Sequence, residues 1–247
     1  MVISIIAILM AILIPVLRKA KEQGKAIICM SNLRQIGLAA NFYAEAYNQF
    51  IPRGTGGQQD PTVWYQLFMP FLSVKPPKIP NSNPPKDDYR GVKIYRCPSY
   101  PDKEQTVCYV VNDWEFLNTS DYRGDTTEGP AKLTAYKRLS STIYLCDNEN
   151  GFWRPIVKEE HDEGWYTSDV WRQKHLPLSD HEIQIHQSEW VGYEWNGPRV
   201  AHKRHRQGCN LLFADWHVGY ADAKDIAAEI RPGALNKDAI NLWRFKK

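Results

Sequence analysis

Residues Val2–Phe50 read "VISIIAILMAILIPVLRKAKEQGKAIICMSNLRQIGLAANFYAEAYNQF", and the fold class turns on this stretch. From Met1 to Leu17 only Ser4 is polar, and the first charge is Arg18. A helix over that run is about 25 Å long, close to the roughly 30 Å of a bilayer's hydrocarbon core. A secretory signal would need a basic region before the run and small residues at a cleavage site after it. The run instead leads into "PVLRKAK", Pro15–Lys21, so it reads as a membrane anchor.

The helical pattern continues past the anchor. Ala26, Cys29, Met30, Leu33, Ile36, Gly37, Ala40, Tyr43, Ala44 and Tyr47 recur at steps of three and four, which makes one apolar stripe. Lys25, Arg34, Gln35, Asn41, Glu45 and Asn48 fall largely off it. The spacing predicts one helix of about 45 residues, about 70 Å long, running from a membrane into a folded domain. Pro15 should bend it, because proline removes a backbone donor and crowds the preceding turn. It should end near "QFIPRGTGG", where Pro52, Gly54, Gly56 and Gly57 oppose continuation. This divides the chain into a transmembrane half-helix, 1–17, an amphipathic half-helix, 18–50, and a globular α+β domain, 51–247.

Composition narrows the function classes. Of the 247 residues 43% are hydrophobic and 24% charged, which favours a packed fold over disorder. A net charge of +3 is too small to imply a nucleic-acid partner, and none is expected. Nine Trp and 13 Tyr read first as packing groups and second as stacking platforms for sugars or bases. The five cysteines contain no CxxC pair, so a zinc ribbon or redox motif is not indicated. Cys97 and Cys108, close in sequence across a Pro-containing turn, are placed to bridge in an oxidising compartment.

"VWYQLFMPFL", Val63–Leu72, should pack on the long helix, and "KPPKIPNSNPPKDDYRG", Lys75–Gly91, reads as an exposed loop. "VKIYRCPSYPD" and "QTVCYVVND" read as short strands around a turn, and "STIYLCDNE", Ser141–Glu149, as a buried strand ending in acids. Residues 151–200 form a long Trp-, His- and acid-rich insertion. His161, Asp162, His175, Asp180, His181 and His186 are metal-ligating types there, but no pair has a recognised spacing. The tail, from Asp222 on, reads as a short helix, a Pro-Gly break and a terminal segment with Trp243 and Phe245.

"NLLFADWHVGYAD" alternates as two strands, Asn210–Ala214 and His217–Ala221, joined at Asp215-Trp216. Three readings of its polar residues stand side by side. Asp215 accepts backbone N–H groups in the turn while His205 and Asn210 anchor the hairpin. Alternatively some of His205, Asp215 and His217 hold a divalent ion, since imidazole and carboxylate suit zinc or manganese and carboxylate suits calcium. Catalysis is the third, although no separate nucleophile or second acid stands at a telling spacing. The basic cluster "HKRHR", His202–Arg206, reads as a solvated loop.

The N-terminal stretch resembles the mature helix of type IV pilin-like proteins. More narrowly it is similar to a pseudopilin-like group common in planctomycetes and related bacteria. The residues that carry this are "CMSNLRQIGLA", Cys29–Ala39, with Tyr43 or Tyr47 and Ile51-Pro52 after it. Cys97-Pro98 with Tyr109 and Asn112, and a strand ending at Asp147, look like the same group. So does His205, nine residues, then Asp215 and His217-Val218. That group commonly has Asp-Gly-His-Val in a processing-associated domain, and here Trp216 replaces the glycine. A positive φ is expected at that turn position, so Trp216 implies another turn type or about 1 kcal/mol of strain.

Members of the group carry a basic leader, a Gly cleavage site and Phe-Thr-Leu-Ile-Glu before the apolar run. The sequence opens inside that run, which we read as a misplaced start. Without the leader, "RKAKEQGK" would favour a cytoplasmic domain; the resemblance implies the opposite orientation. It further implies a pilin-like α+β fold with one long helix on an antiparallel sheet and a loop-rich insertion. It implies a non-enzymatic, membrane-anchored structural protein of the cytoplasmic membrane, its C-terminal domain on the periplasmic or extracellular side. Processing and methylation of the prepilin type would go with this. The partners would be other pilin-like subunits, met through the helix in a type II secretion or type IV pilus-like assembly. No cofactor is required, apart from a divalent ion at His205, Asp215 and His217. The rival is a membrane-anchored metal-dependent hydrolase or glycan-binding protein using the Trp/His-rich region.

Overall fold

The computed structural model describes residues 2–52, 64–78, 88–103, 105–112, 131–135, 139–148, 170–171, 201 and 203–222. Helix α1, Val2–Ala46, is one continuous element of 45 residues with Pro15 inside it. It stops because Asn48 and Gln49 take left-handed backbone conformations (φ 53° and 66°) and turn the chain into β1, Phe50–Ile51. Leu133 N–H donates to Gln49 O, and β1 pairs antiparallel with β3, Ala131–Lys132.

Two very different halves make up α1. Its apolar first part is exposed throughout: Val2, Ile3, Ile8 and Ile12 each keep more than 60% of their surface. This part is long and apolar enough to cross a membrane, and none of it is buried by its own chain. Burial begins at Ala26 and follows the predicted stripe through Cys29, Leu33, Ile36, Gly37, Ala40, Tyr43 and Ala44, with Asn32 and Ala39 added. Tyr47, beyond the last helical turn, is instead exposed and stacks on Tyr43 at 4.4 Å. Burying side chains such as Leu33, Ile36 and Tyr43 is worth roughly 1.5–3 kcal/mol each, so this face holds the helix to the domain.

The sheet contains β2, Tyr109–Asn112; β4, Ile143–Asp147; β5, Val170–Trp171; β6, Gly208–Phe213; and β7, Val218–Asp222. Among the described residues its order is β5-β2-β4-β6-β7, antiparallel except where β5 runs parallel to β2. Thus the fold is α+β, a long N-terminal helix packed on a largely antiparallel sheet. Side chains alternate across β6: Leu212 packs toward α1, while Cys209, Leu211 and Phe213 belong to a cluster on the other face. Strand β4 breaks this alternation with a register shift between Ile143 and Leu145, which lets both Tyr144 and Leu145 join the helix-side core.

A short helix α2, Trp64–Leu67, and the turn after it close the core over α1, as the aromatic spacing predicts. Trp64, Tyr65 and Phe68 are fully buried, and Tyr43 meets the Phe68 and Phe71 rings edge-on at 5.5 and 5.8 Å. Where a strand is expected in "VKIYRCPSYPD", the chain forms a 3-10 turn, Lys93–Tyr95, directly after another at Tyr89–Gly91. Asp88 starts the earlier of the two by accepting the Arg90 backbone N–H at 3.0 Å, a local bond that competes with strand pairing. The second drops Ile94 and Tyr95 into the core, where the Tyr95 hydroxyl donates to Tyr65 O at 2.7 Å. The three glycines after Pro52, most of the 151–200 insertion and the tail with Trp243 and Phe245 lie outside the described residues.

Candidate functional site

Four segments distant in sequence converge beside the middle of α1. Cys29 comes from the buried face of α1, and Cys97 from the loop after the second 3-10 turn. Asp147 is the last residue of β4, and His205 stands just before β6. All four are buried, and their ligating atoms lie within 4.8 Å of one another. Cys29 and Cys97 form a disulfide with their Cα atoms 5.4 Å apart, closing a sequence separation of 68 residues. His205 Nε2 lies 3.4 Å from Cys97 Sγ and 3.5 Å from Asp147 Oδ2.

Local structure explains each position. Asn32, one turn after Cys29, donates to Arg96 O at 2.9 Å and so ties the helix to the residue before Cys97. His205 opens a tight turn closed by two bonds: His205 N–H donates to Gly208 O, and Gly208 N–H to His205 O. Arg206 and Gln207 between them have φ of 51° and 69°, the signs of a type I′ turn. A Cβ at position 208 would sit 2.0 Å from Ala221 O, so only glycine fits where β6 leaves the turn against β7. Asp147 is oriented by the backbone N–H of Asn210, which donates to Oδ2 at 2.7 Å. Asn210 Nδ2 in turn donates to Ala26 O at 3.4 Å, joining β6 to α1.

The surroundings are largely apolar, with the cation of Arg204 beside them. The Arg204 guanidinium lies over the Tyr100 ring at 4.4 Å, and Tyr100 packs in one cluster with Cys29, Cys97 and Cys108. Burial pushes the Cys108 thiol up to about 12 and holds the Tyr109 hydroxyl well above its ordinary 10.0. Asp147 Oδ1, His205 Nδ1 and Asn210 Oδ1 are buried without a hydrogen-bond partner among the described residues.

A family model described as "Protein of unknown function (DUF1559)" matches residues 18–155, more than half of the chain. The chain belongs to the DUF1559 family. No curated protein and no solved structure matches it. The match spans the amphipathic half of α1, Cys97 and β4 with Asp147, and ends before the His205–His217 segment.

Within this DUF1559 chain the sequence-predicted site residues separate into two places. His205 stands just before β6, in the buried cluster, and Asn210 lies within the strand and bonds Asp147. Asp215 and His217 stand in the exposed loop beyond the far end of β6, whose six residues lie between His205 and Asp215. A strand of that length spans about 17 Å, whereas metal–ligand bonds are about 2 Å, so His205, Asp215 and His217 cannot share an ion. Asp215 Oδ1 accepts the backbone N–H of His217 at 3.2 Å and bonds the same residue's Nδ1 at 2.5 Å. The His217 ring stacks on Phe213 at 4.1 Å. These contacts are those of a hairpin turn.

The expected Cys97–Cys108 bridge is also corrected, since Cys97 pairs with Cys29. The Cys108 backbone N–H is bonded to Tyr95 O and leads straight into β2, while Cys97 faces the helix; Cys108, Cys146 and Cys209 remain buried thiols. Proximity in sequence suggested the wrong partner. The usable signal was that Cys29 falls on the buried stripe of α1. His161, Asp162, His175, Asp180, His181, His186 and His202 lie outside the described residues.

Proposed function

We infer that this DUF1559 protein is a membrane-anchored, pseudopilin-like structural subunit, held by α1 and assembling with like subunits through that helix. The domain stands on the extracytoplasmic side, and the assembly is of the type II secretion or type IV pilus-like kind. One observation carries the reading: beyond its membrane-length segment, α1 leaves four large apolar side chains exposed on the side away from the sheet. Ile27, Ile28, Leu38 and Phe42 are 51–63% exposed while the opposite face is buried on the sheet. At about 100° per residue these four fall within roughly 100° of one another, the width that helix packing uses, with Ser31 and Gln35 between them. Exposed apolar side chains of this size, on the same helix as an exposed apolar segment, suit burial against a neighbouring helix better than exposure to water.

The chemistry of the folded half supports a structural role. Its polar residues serve anchoring: Asn32 and Asn210 pin α1, and Asp215 shapes the hairpin. The test expresses the full chain in a bacterial inner membrane and cross-links it. Wild type should give a ladder of multimers that Leu38→Arg with Phe42→Arg abolishes, the variant's near-ultraviolet circular dichroism matching that of wild type. External protease should reach the domain in spheroplasts. A wild-type chain that stays monomeric at every expression level would sink the assembly reading, and protection from external protease would sink the orientation.

A further inference from the structure

We propose that the Cys29, Cys97, Asp147 and His205 cluster is a closed tetrahedral site for a divalent transition-metal ion, zinc before others, available when Cys29 and Cys97 are reduced. The disulfide and the ion are then alternative clasps at one place. This is independent of whether the chain assembles.

Geometry carries the proposal. Bonds of about 2.3 Å to sulfur and 2.0–2.2 Å to nitrogen and oxygen, set at the tetrahedral angle, place neighbouring donors roughly 3.3–3.8 Å apart. Cys97 Sγ to His205 Nε2 at 3.4 Å and His205 Nε2 to Asp147 Oδ2 at 3.5 Å already match such edges. The same ring nitrogen faces both the sulfur and the carboxylate oxygen. A disulfide sulfur has no hydrogen to give that nitrogen and accepts one only weakly, and 3.5 Å is long for a hydrogen bond to the carboxylate. For two ligands of one ion both spacings are ordinary.

Burial and charge agree with this. Asp147 is 0% and His205 2% exposed, and a buried carboxylate is stabilised by pairing or by a metal. Two thiolates and a carboxylate around a divalent ion leave a net charge of about −1, beside the Arg204 guanidinium of the same pocket. The Asn210 backbone amide fixes Asp147 Oδ2, as ligating carboxylates require. Two sulfurs, one nitrogen and one oxygen favour zinc over calcium or magnesium, and four protein donors leave no open position, which makes the site structural. The ion would join four chain segments where the disulfide joins two.

The redox step is an ordinary two-electron reduction. A phosphine takes the oxygen of one water molecule to become its oxide, the S–S bond breaks, and two thiols form. On metal binding the two thiol protons leave to solvent, and both thiolates, the imidazole and the carboxylate each donate an electron pair.

The experiment uses the full-length chain in detergent, reduced with a phosphine, desalted and titrated with Co²⁺ and then Zn²⁺. The reduced chain should bind one Co²⁺ with thiolate-to-cobalt charge-transfer absorption and tetrahedral d–d bands, displaced by one Zn²⁺. The oxidised chain should bind none. His205→Gln should weaken binding about 100-fold or more, at least the loss that disturbing an outer partner of a metal site causes. Zinc should also protect Cys29 and Cys97 of the wild type from alkylation, a readout that stands if the variant does not fold. A reduced chain that unfolds and regains its fold with one equivalent of zinc supports the site. The proposal is overturned if the reduced wild type binds no Co²⁺, or binds it without a thiolate band. Equal binding by the oxidised chain, unchanged affinity in a folded His205→Gln, no alkylation protection, or a chain left unfolded by zinc would each overturn it too.

Discussion

Trp216 has φ of 72°, the left-handed conformation that the hairpin position demands and that glycine would adopt freely. A left-handed non-glycine residue costs roughly 1–2 kcal/mol. The ring offsets that cost by packing half-buried against the helix-side core, edge-on to Tyr144 at 5.8 Å. Removing about 100 Å² of apolar surface from water contributes about 2.5 kcal/mol. Trp216→Gly should therefore destabilise the domain by about 1 kcal/mol, despite restoring the residue best suited to the turn. Chemical denaturation of the two proteins measures the difference, and a variant more stable than wild type would show that strain outweighs packing. The strained position was legible in the sequence as Asp-Trp where Asp-Gly is expected. What makes tryptophan tolerable there was not, because Tyr144 lies on another strand.

The segment "CMSNLRQIG" in α1 resolves into separate jobs once the helix is docked. Cys29 bonds Cys97, Asn32 binds Arg96 O, Leu33 and Ile36 fill the core, and Gly37 lets the hairpin approach. A Cβ at position 37 would lie 2.9 Å from Leu212 Cδ1 and 3.2 Å from Trp216 O. Glycine inside a helix costs roughly 0.5–1 kcal/mol relative to alanine, so its presence here marks that close approach. Gly37→Val should cost roughly 1–3 kcal/mol by overpacking the helix against the hairpin. Adding Leu212→Ala should recover part of it, so that the double variant loses less than the sum of the singles. Strict additivity in denaturation midpoints would place the cost elsewhere. Periodicity made the buried stripe readable, with Asn32 the exception: its polar side chain kept it off the apolar pattern, but its bond to Arg96 O makes burial favourable.

Across the folded domain, alkaline pH acts on a set of buried hydroxyls and one thiol. Desolvation raises Tyr109 and Tyr144 well above 10.0, Tyr95 likewise, and Cys108 from 9.0 to about 12. The folded state thus holds these protons where the unfolded chain would release them. Their contribution to stability is fully present below about pH 9 and is lost progressively as pH rises toward about 12. Thermal unfolding should give a Tm that falls above about pH 9 and shows no such fall just below it. A Tm that climbs through the same alkaline window would contradict the burial of these groups.

Local pattern sufficed for the length of α1, for its apolar first part and its buried stripe, and for β4 and the β6–β7 hairpin. Each of these is carried by a repeat of 3.6 or 2 residues, or by an unbroken apolar run, along a single stretch of chain, so neighbours in sequence carry the whole signal. The joining of Cys29 to Cys97 and the meeting of His205 with Asp147 needed the packed domain. So did the separation of His205 from Asp215 by the length of β6. Contacts of that kind are set by how helix and sheet surfaces fill space together. Residues 68 apart then touch, while residues ten apart on an extended strand are held at opposite ends.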